Sequence, residues 1–219
     1  MISLIDLDSN KELKSWKTSE SSRSLDISND SKFVAFGELN GNINVWDFDS
    51  CSIAFKLKRH VLAVNFVKFS PNCKILASVG SDKYICIWDI LSGKLINVLE
   101  GHLDKINSLA FHPNNHILAS CSSDNLIIIW DLKTGRKIFT LKGHESDINH
   151  VIFSPLGNHI ASCDDDMIII WDIQSGKQIK KLTEHKNSVN YVAFSHDGSL
   201  LASVSNDNTV KIWKNVLKN

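Results

Sequence analysis

Net charge is the first thing this 219-residue sequence lacks: 24 Lys plus Arg balance 24 Asp plus Glu. No overall field therefore draws the chain to nucleic acid or to an anionic membrane, and any partner has to be selected by local chemistry. Long apolar runs are missing too. The only apolar stretch of Met1 to Lys14 is broken by Asp6 and Asp8, which argues against a secretory hydrophobic region, and no window approaches a membrane-spanning length. The five cysteines, Cys51, Cys73, Cys86, Cys121 and Cys163, are odd in number and show no C-x-x-C spacing. Neither a disulfide framework nor a zinc site is expected, and a reducing compartment fits best, the cytoplasm without excluding the nucleus. What is present is ordinary for a soluble globular protein, 43% hydrophobic and 22% charged, so the expectation is one domain over residues 1–219.

The organising feature is periodicity. Trp46, Trp88, Trp130, Trp171 and Trp213 stand 42, 42, 41 and 42 residues apart, and an Asp follows the first four, with Lys214 after the fifth. Each period holds four short β-like apolar runs, such as Val64 to Phe69, Ile75 to Val79, Tyr84 to Trp88 and Leu95 to Leu99. Between them lie Ser70-Pro71-Asn72, Gly80-Ser81-Asp82-Lys83 and Ser92-Gly93-Lys94, segments short enough only for hairpin connections. Each repeat thus reads as a four-stranded antiparallel meander, over approximately 23–58, 59–100, 101–142, 143–183 and 184–214. A sheet of this kind cannot bury both its faces alone. Copies must stack, and radial stacking of twisted sheets gives an all-β propeller of about five blades.

The Trp-Asp endings, the pairs Gly101-His102 and Gly143-His144, and the strands bearing Leu-Ala-Ser at Leu76, Leu118 and Leu200 resemble the WD-repeat family over residues 23 to 213. The resemblance implies a non-catalytic scaffold for protein or peptide partners, with no cofactor and no metal. An enzymatic or small-molecule-binding propeller with a channel site is the alternative.

Four repeats carry His, Ser, Asp and Trp in one order: His60, Ser78, Asp82, Trp88; His102, Ser120, Asp124, Trp130; His144, Ser162, Asp165, Trp171; and His185, Ser203, Asp207, Trp213. The set imitates a Ser-His-Asp triad. Fourfold repetition argues against chemistry, because a nucleophile needs one activated oxygen and one oxyanion site. The resemblance implies instead a hydrogen-bonded chain inside each blade, from the indole N–H through Ser and His to the turn Asp. The His residues come one per blade, without ligand spacing, so no metal centre is expected.

Two repeats are irregular. The first has Thr18, Phe36 and Asn40 where His, Ser and Asp would fall, so its support should come from apolar burial of Leu25, Ile27, Phe33, Val34 and Val45. The fourth is one residue short before Trp171 and crowds Asp164, Asp165 and Asp166 into its turn. Counting back from Trp171 selects Asp165 as the buried acid, and counting forward from Ser162 selects Asp166.

In the resembling family the face bearing the His and Asp loops is the commoner place to bind peptides. Carried onto this sequence, the candidates are Arg23, Asn65, Lys105, Asn107, Asp147, Asn149, Ser188 and Asn190 beside the His loops, and Leu39, Ser81, Ser123, Asp164 and Asn206 beside the Asp turns. The set lacks an aromatic anchor, and the column Asn65, Asn107, Asn149 and Asn190 recurs like a structural position, which favours a solvated loop face over a peptide site. Residues 1–17 should supply partial-blade strands. Leu13 to Trp16 is expected to lie beside Thr209 to Trp213 if the ring closes. An incomplete or open ring is the favoured expectation, and self-association would follow from its exposed sheet faces.

Overall fold

The computed structural model describes residues 2–16 and 21–217. Among these there is no helix, and twenty-one strands form six antiparallel sheets. The first is a hairpin of β1 (Ile2–Asp6) and β2 (Lys11–Trp16). Then come β3 (Ser22–Ile27), β4 (Phe33–Glu38), β5 (Asn42–Asp47) and β6 (Ser52–Lys58); and β7 (Val64–Phe69), β8 (Ile75–Gly80), β9 (Tyr84–Asp89) and β10 (Leu95–Glu100). The third blade is β11 (Ile106–Phe111), β12 (Ile117–Ser122), β13 (Leu126–Asp131) and β14 (Lys137–Lys142). The fourth is β15 (His150–Phe153), β16 (His159–Cys163), β17 (Ile168–Asp172) and β18 (Gln178–Leu182). The fifth has three strands, β19 (Val189–Phe194), β20 (Leu200–Ser205) and β21 (Val210–Lys214).

The acid after each Trp explains why the third strand turns where it does. Asp89 Oδ1 accepts the backbone N–H and hydroxyl of Ser92 at 2.8 and 2.6 Å, and Gly93 takes φ +66°, a left-handed position at which a Cβ is costly. Asp131 with Thr134 and Asp172 with Ser175 repeat the device.

In the first four blades the second and third strands are buried on both faces, which is why they read as near-continuous apolar runs. In the second blade Leu76, Cys86 and Trp88 pack toward Ala35, Ile43 and Val45 of the first. Ala77, Val79, Ile85 and Ile87 pack toward Leu109, Leu118, Ile128 and Trp130 of the third. The inner strands touch in series, β3 on β7, β7 on β11, β11 on β15 and β15 on β19, and no comparable packing joins β19 back to β3. The blades form an open arc.

The ring is open, as favoured, so the pairing expected only on closure does not form, and one expectation about the first blade needs correction. β2 does not complete the last blade; it pairs with β1, Ile2 opposite Trp16. Leu25 and Ile27, expected in the core, are 44% and 51% exposed, whereas Val34 and Val45 are buried and Phe33 is half-buried. Their equivalents Val67 and Phe69 are covered by the preceding blade. The opposite end shows the mirror condition. Val210 and Ile212 are 66% and 56% exposed, where Ile168 and Ile170 in the fourth blade are sealed by the fifth.

Candidate functional site: buried networks and the loop face above them

Ser78 lies opposite Cys86 and Trp88 opposite Leu76, so the serine and the tryptophan are diagonal neighbours on one face of the sheet. The indole Nε1–H donates to Ser78 Oγ at 2.9 Å, Ser78 Oγ meets His60 Nε2 at 2.9 Å, and His60 Nδ1 meets both Asp82 oxygens at 2.9 and 3.0 Å. The third blade repeats this with Trp130 to Ser120 at 2.9 Å, Ser120 to His102 at 2.8 Å and His102 to Asp124 at 2.9 Å. In the fifth, Trp213 to Ser203, Ser203 to His185 and His185 to Asp207 span 2.9, 2.7 and 2.8 Å.

The proton order follows from the chemistry of the groups. The indole can only donate, so the serine hydrogen is free to point at His Nε2, and the His Nδ1–H donates to the carboxylate. Burial alone raises the carboxyls of Asp82 and Asp124, but the His bond, the His field and backbone N–H groups outweigh it and hold both below the ordinary value. The acid also orders the His loop: the N–H groups of Val61, Leu103 and Lys186 donate to Asp82, Asp124 and Asp207 at 3.1, 2.8 and 3.0 Å.

In the fourth blade the acid is neither Asp165 nor Asp166. Asp164 Oδ2 meets His144 Nδ1 at 2.7 Å, His144 Nε2 meets Ser162 Oγ at 2.6 Å, and Trp171 donates to Ser162 at 2.8 Å. The other turns are three-residue loops that end on a left-handed residue, Lys83, Asn125 or Asn208 at φ 72°, 64° and 64°. Loss of one residue removes that position. The ladder runs on to an Asp164 N–H to Met167 C=O bond at 3.1 Å, leaving a two-residue turn of Asp165 and Asp166. The acid then comes from the last ladder position, where Gly80 or Ser122 stands elsewhere. Asp164 is fully buried, so it leaves the set of partner-binding candidates, while Asp165 is exposed and accepts from Ser188 Oγ at 2.6 Å.

This arrangement coincides with a match to a family model. The model described as "WD domain, G-beta repeat" matches residues 10–47, 51–89, 93–131, 135–172 and 176–214. The chain belongs to the WD40 repeat family. Each matched segment begins on or just before an outer strand and ends at or just after the Trp of the next sheet. No curated protein matches the chain. WD40 repeats are commonly used as protein-interaction scaffolds, and their family is generally non-enzymatic.

The first WD40 repeat departs from its siblings. Phe36 is buried where a serine would stand, among the described residues Asn40 Oδ1 accepts the local Asn42 N–H at 3.0 Å, and Thr18 lies outside them.

Above the networks, the structure joins most of the proposed partner residues to one another. Asn65, Asn107 and Asn149 donate across to the carbonyls of Ile106, Ile148 and Val189 at 2.9, 2.9 and 3.1 Å, tying each blade to the next. Arg23 donates to Asn65 at 3.1 Å, and Asn190 to Asn206 at 2.6 Å. Ser123 donates to Asp147 at 2.6 Å, and Lys105 lies 3.4 Å from the same carboxylate. Ser81 donates to Asn65, and Ser188 accepts from Asn149 while donating to Asp165. They form an inter-blade polar belt.

Beside this belt stand Leu39, already a candidate, and three side chains that were not. Val61, Leu62 and Leu103 directly follow the network His residues and are 73%, 53% and 76% exposed; Leu39, half-exposed, lies on the neighbouring turn. Large aliphatics immediately after a buried His were the available signal. Arg59 sits over the Tyr84 ring at 5.0 Å, and Lys83 Nζ donates to the Leu103 carbonyl at 2.8 Å, so cations border the apolar patch.

Proposed function

We propose that this WD40 chain is a non-catalytic scaffold that receives a protein or peptide partner on the face carrying the His loops. The commitment of the serine hydroxyls carries the reading. Ser78, Ser120, Ser162 and Ser203 are buried, and each oxygen already accepts an indole N–H. A nucleophile with the right His and Asp distances but no access to solvent does no acyl transfer. Exposed Val61, Leu62 and Leu103 supply the apolar anchors of a docking patch, with Arg23, Lys105 and the Asn belt as its polar rim. The balanced charge speaks for a protein partner over nucleic acid. Five free thiols, three of them buried, suit a cytoplasmic setting, with the nucleus equally compatible.

Self-association belongs to the same reading. The exposed face of β20 and β21 repeats the apolar positions that inner blades bury against a neighbour, so a second sheet is its natural cover. The partner assignment is tested by quantitative affinity capture with the wild-type chain, Leu103→Glu and Lys105→Glu. Proteins held by the wild type and lost from both variants support it. An unchanged partner set would place binding elsewhere.

A further inference from the structure

The innermost strands place Ser24, Phe66, Ser108, His150 and Tyr191 at one register position, opposite Gly37, Val79, Cys121, Cys163 and Val204. Three blades thus contribute an aromatic ring to a single layer of the channel. His150 stacks on Tyr191 with centroids 3.8 Å apart and meets Phe66 edge to face at 6.0 Å. Below this layer lies a cavity of about 360 Å³. Its mouth is framed by Pro71, Pro113 and Pro155, all in turns between first and second strands, at the opposite end of the channel from the His loops.

Two polar atoms of the layer are left over. His150 is 4% exposed and its Nδ1 has no hydrogen-bond partner; Ser108 Oγ, on the neighbouring blade at the same position, is likewise buried and unpaired. Each such atom is costly to bury unless something meets it. Burial first, and then the nearby Lys68 charge, hold the imidazole neutral at ordinary pH, lowering its pKa to about 3. Lys68, on the cavity wall, is spent on Asp26 at 2.7 Å. The site therefore offers ring faces and unspent neutral hydrogen-bonding capacity, and no uncompensated lysine charge.

We propose that this cavity binds a phenolic ring, which lies against the Phe66, His150 and Tyr191 layer and uses its hydroxyl on the His150 imidazole. A hydroxyl both donates and accepts, so it serves a neutral imidazole in either tautomer. The volume lies at the low end of ligand pockets and suits one ring system. The rigid proline rim keeps the mouth open without an ordering cost. The ring can arrive as a free phenol or as a tyrosyl side chain. This pocket opens opposite the docking patch and stands or falls independently of the scaffold reading.

The test is an NMR titration of the full chain with p-cresol, N-acetyl-tyrosinamide and toluene, following the His150 ring signals. A saturable shift with p-cresol is expected, with toluene weaker by about tenfold for want of the hydroxyl. His150→Leu, checked for folding by its thermal midpoint, should lose about as much; Tyr191→Ala, at a half-exposed position, repeats the measurement if the leucine variant fails to fold. Binding of p-cresol alone assigns the pocket to free phenols, and binding of both phenolic probes assigns it to a tyrosyl side chain. Absence of saturation, equal binding of toluene, or undiminished binding in the variants overturns the proposal and leaves the layer to ordered water.

Discussion

The carboxylate of Asp164 lies 2.7 Å from Nδ1 of His144, closing the fourth network from a ladder position that its counterparts give to Gly80 and Ser122. Asp164→Ala strands His144 in a buried site, whereas Asp165→Ala loses one exposed bond to Ser188. The first substitution should cost about 2–3 kcal/mol and lower the thermal midpoint by about 5–10 °C; the second should leave it nearly unchanged. Equal shifts in calorimetry would show that the turn is built some other way.

The same logic separates regular from irregular blades. Asp124→Ala removes the partner of His102 and of the Leu103 N–H, and should destabilise by a few kcal/mol. Asn40→Ala removes one local bond in an exposed turn and should cost well under 1 kcal/mol. Denaturant midpoints of the two variants decide.

Serine-directed covalent probes should not label the folded chain at Ser78, Ser120, Ser162 or Ser203. Stoichiometric labelling at any of them, read by peptide mass spectrometry, would falsify the non-catalytic reading.

Acid should weaken the fold in two stages. His150 holds its proton less tightly when folded, at a pKa of about 3 against 6.5 for a free imidazole, so the unfolded chain binds the extra proton between those values. Stability is therefore lost as pH falls from about 6.5 toward 3, by an order of a few kcal/mol. Asp82, Asp124 and Asp164 are depressed, so their contribution is complete above the ordinary carboxyl range and fades as pH falls through their lowered values. His150→Leu should abolish the upper stage in a pH series of urea unfolding and spare the lower one.

The chain should associate through the uncovered face of its last sheet. Sedimentation velocity is expected to show concentration-dependent growth, suppressed by Val210→Asp with Ile212→Asp. A concentration-independent monomer in the wild type sinks this expectation.

The five sheets were legible because Trp46, Trp88, Trp130, Trp171 and Trp213 recur in a fixed relation to their turns. The fourth acid was not. Counting from Trp171 or Ser162 assumes a three-residue loop, and the missing residue changed the hairpin type, so the backward count stopped one residue short of Asp164 and the forward count passed it by two. The pairing of β2 with β1 goes with the open arc, since the segment 13–16 had a place beside β21 only in a closed ring. Comparison of repeats also hid the channel. Phe66, His150 and Tyr191 occupy one column at offsets of 42 and 41 residues from their neighbours, but they differ chemically. Repetition reveals what blades share, and the pocket is made of what they do not.

The asparagine staples have a consequence for how such a chain can change length. Asn65, Asn107 and Asn149 each grip the carbonyl that follows 40 or 41 residues later, always on the next blade. An arc fastened only between neighbours satisfies no closing angle. Excision of residues 101–142 would bring Asn65 to the carbonyl of Ile148 with the same joint re-formed, whereas a single residue inserted into β11 would break the joints on both sides. Such a molecule tolerates gain or loss by the whole repeat and resists it by the residue, so its joints already define the unit in which its gene can grow.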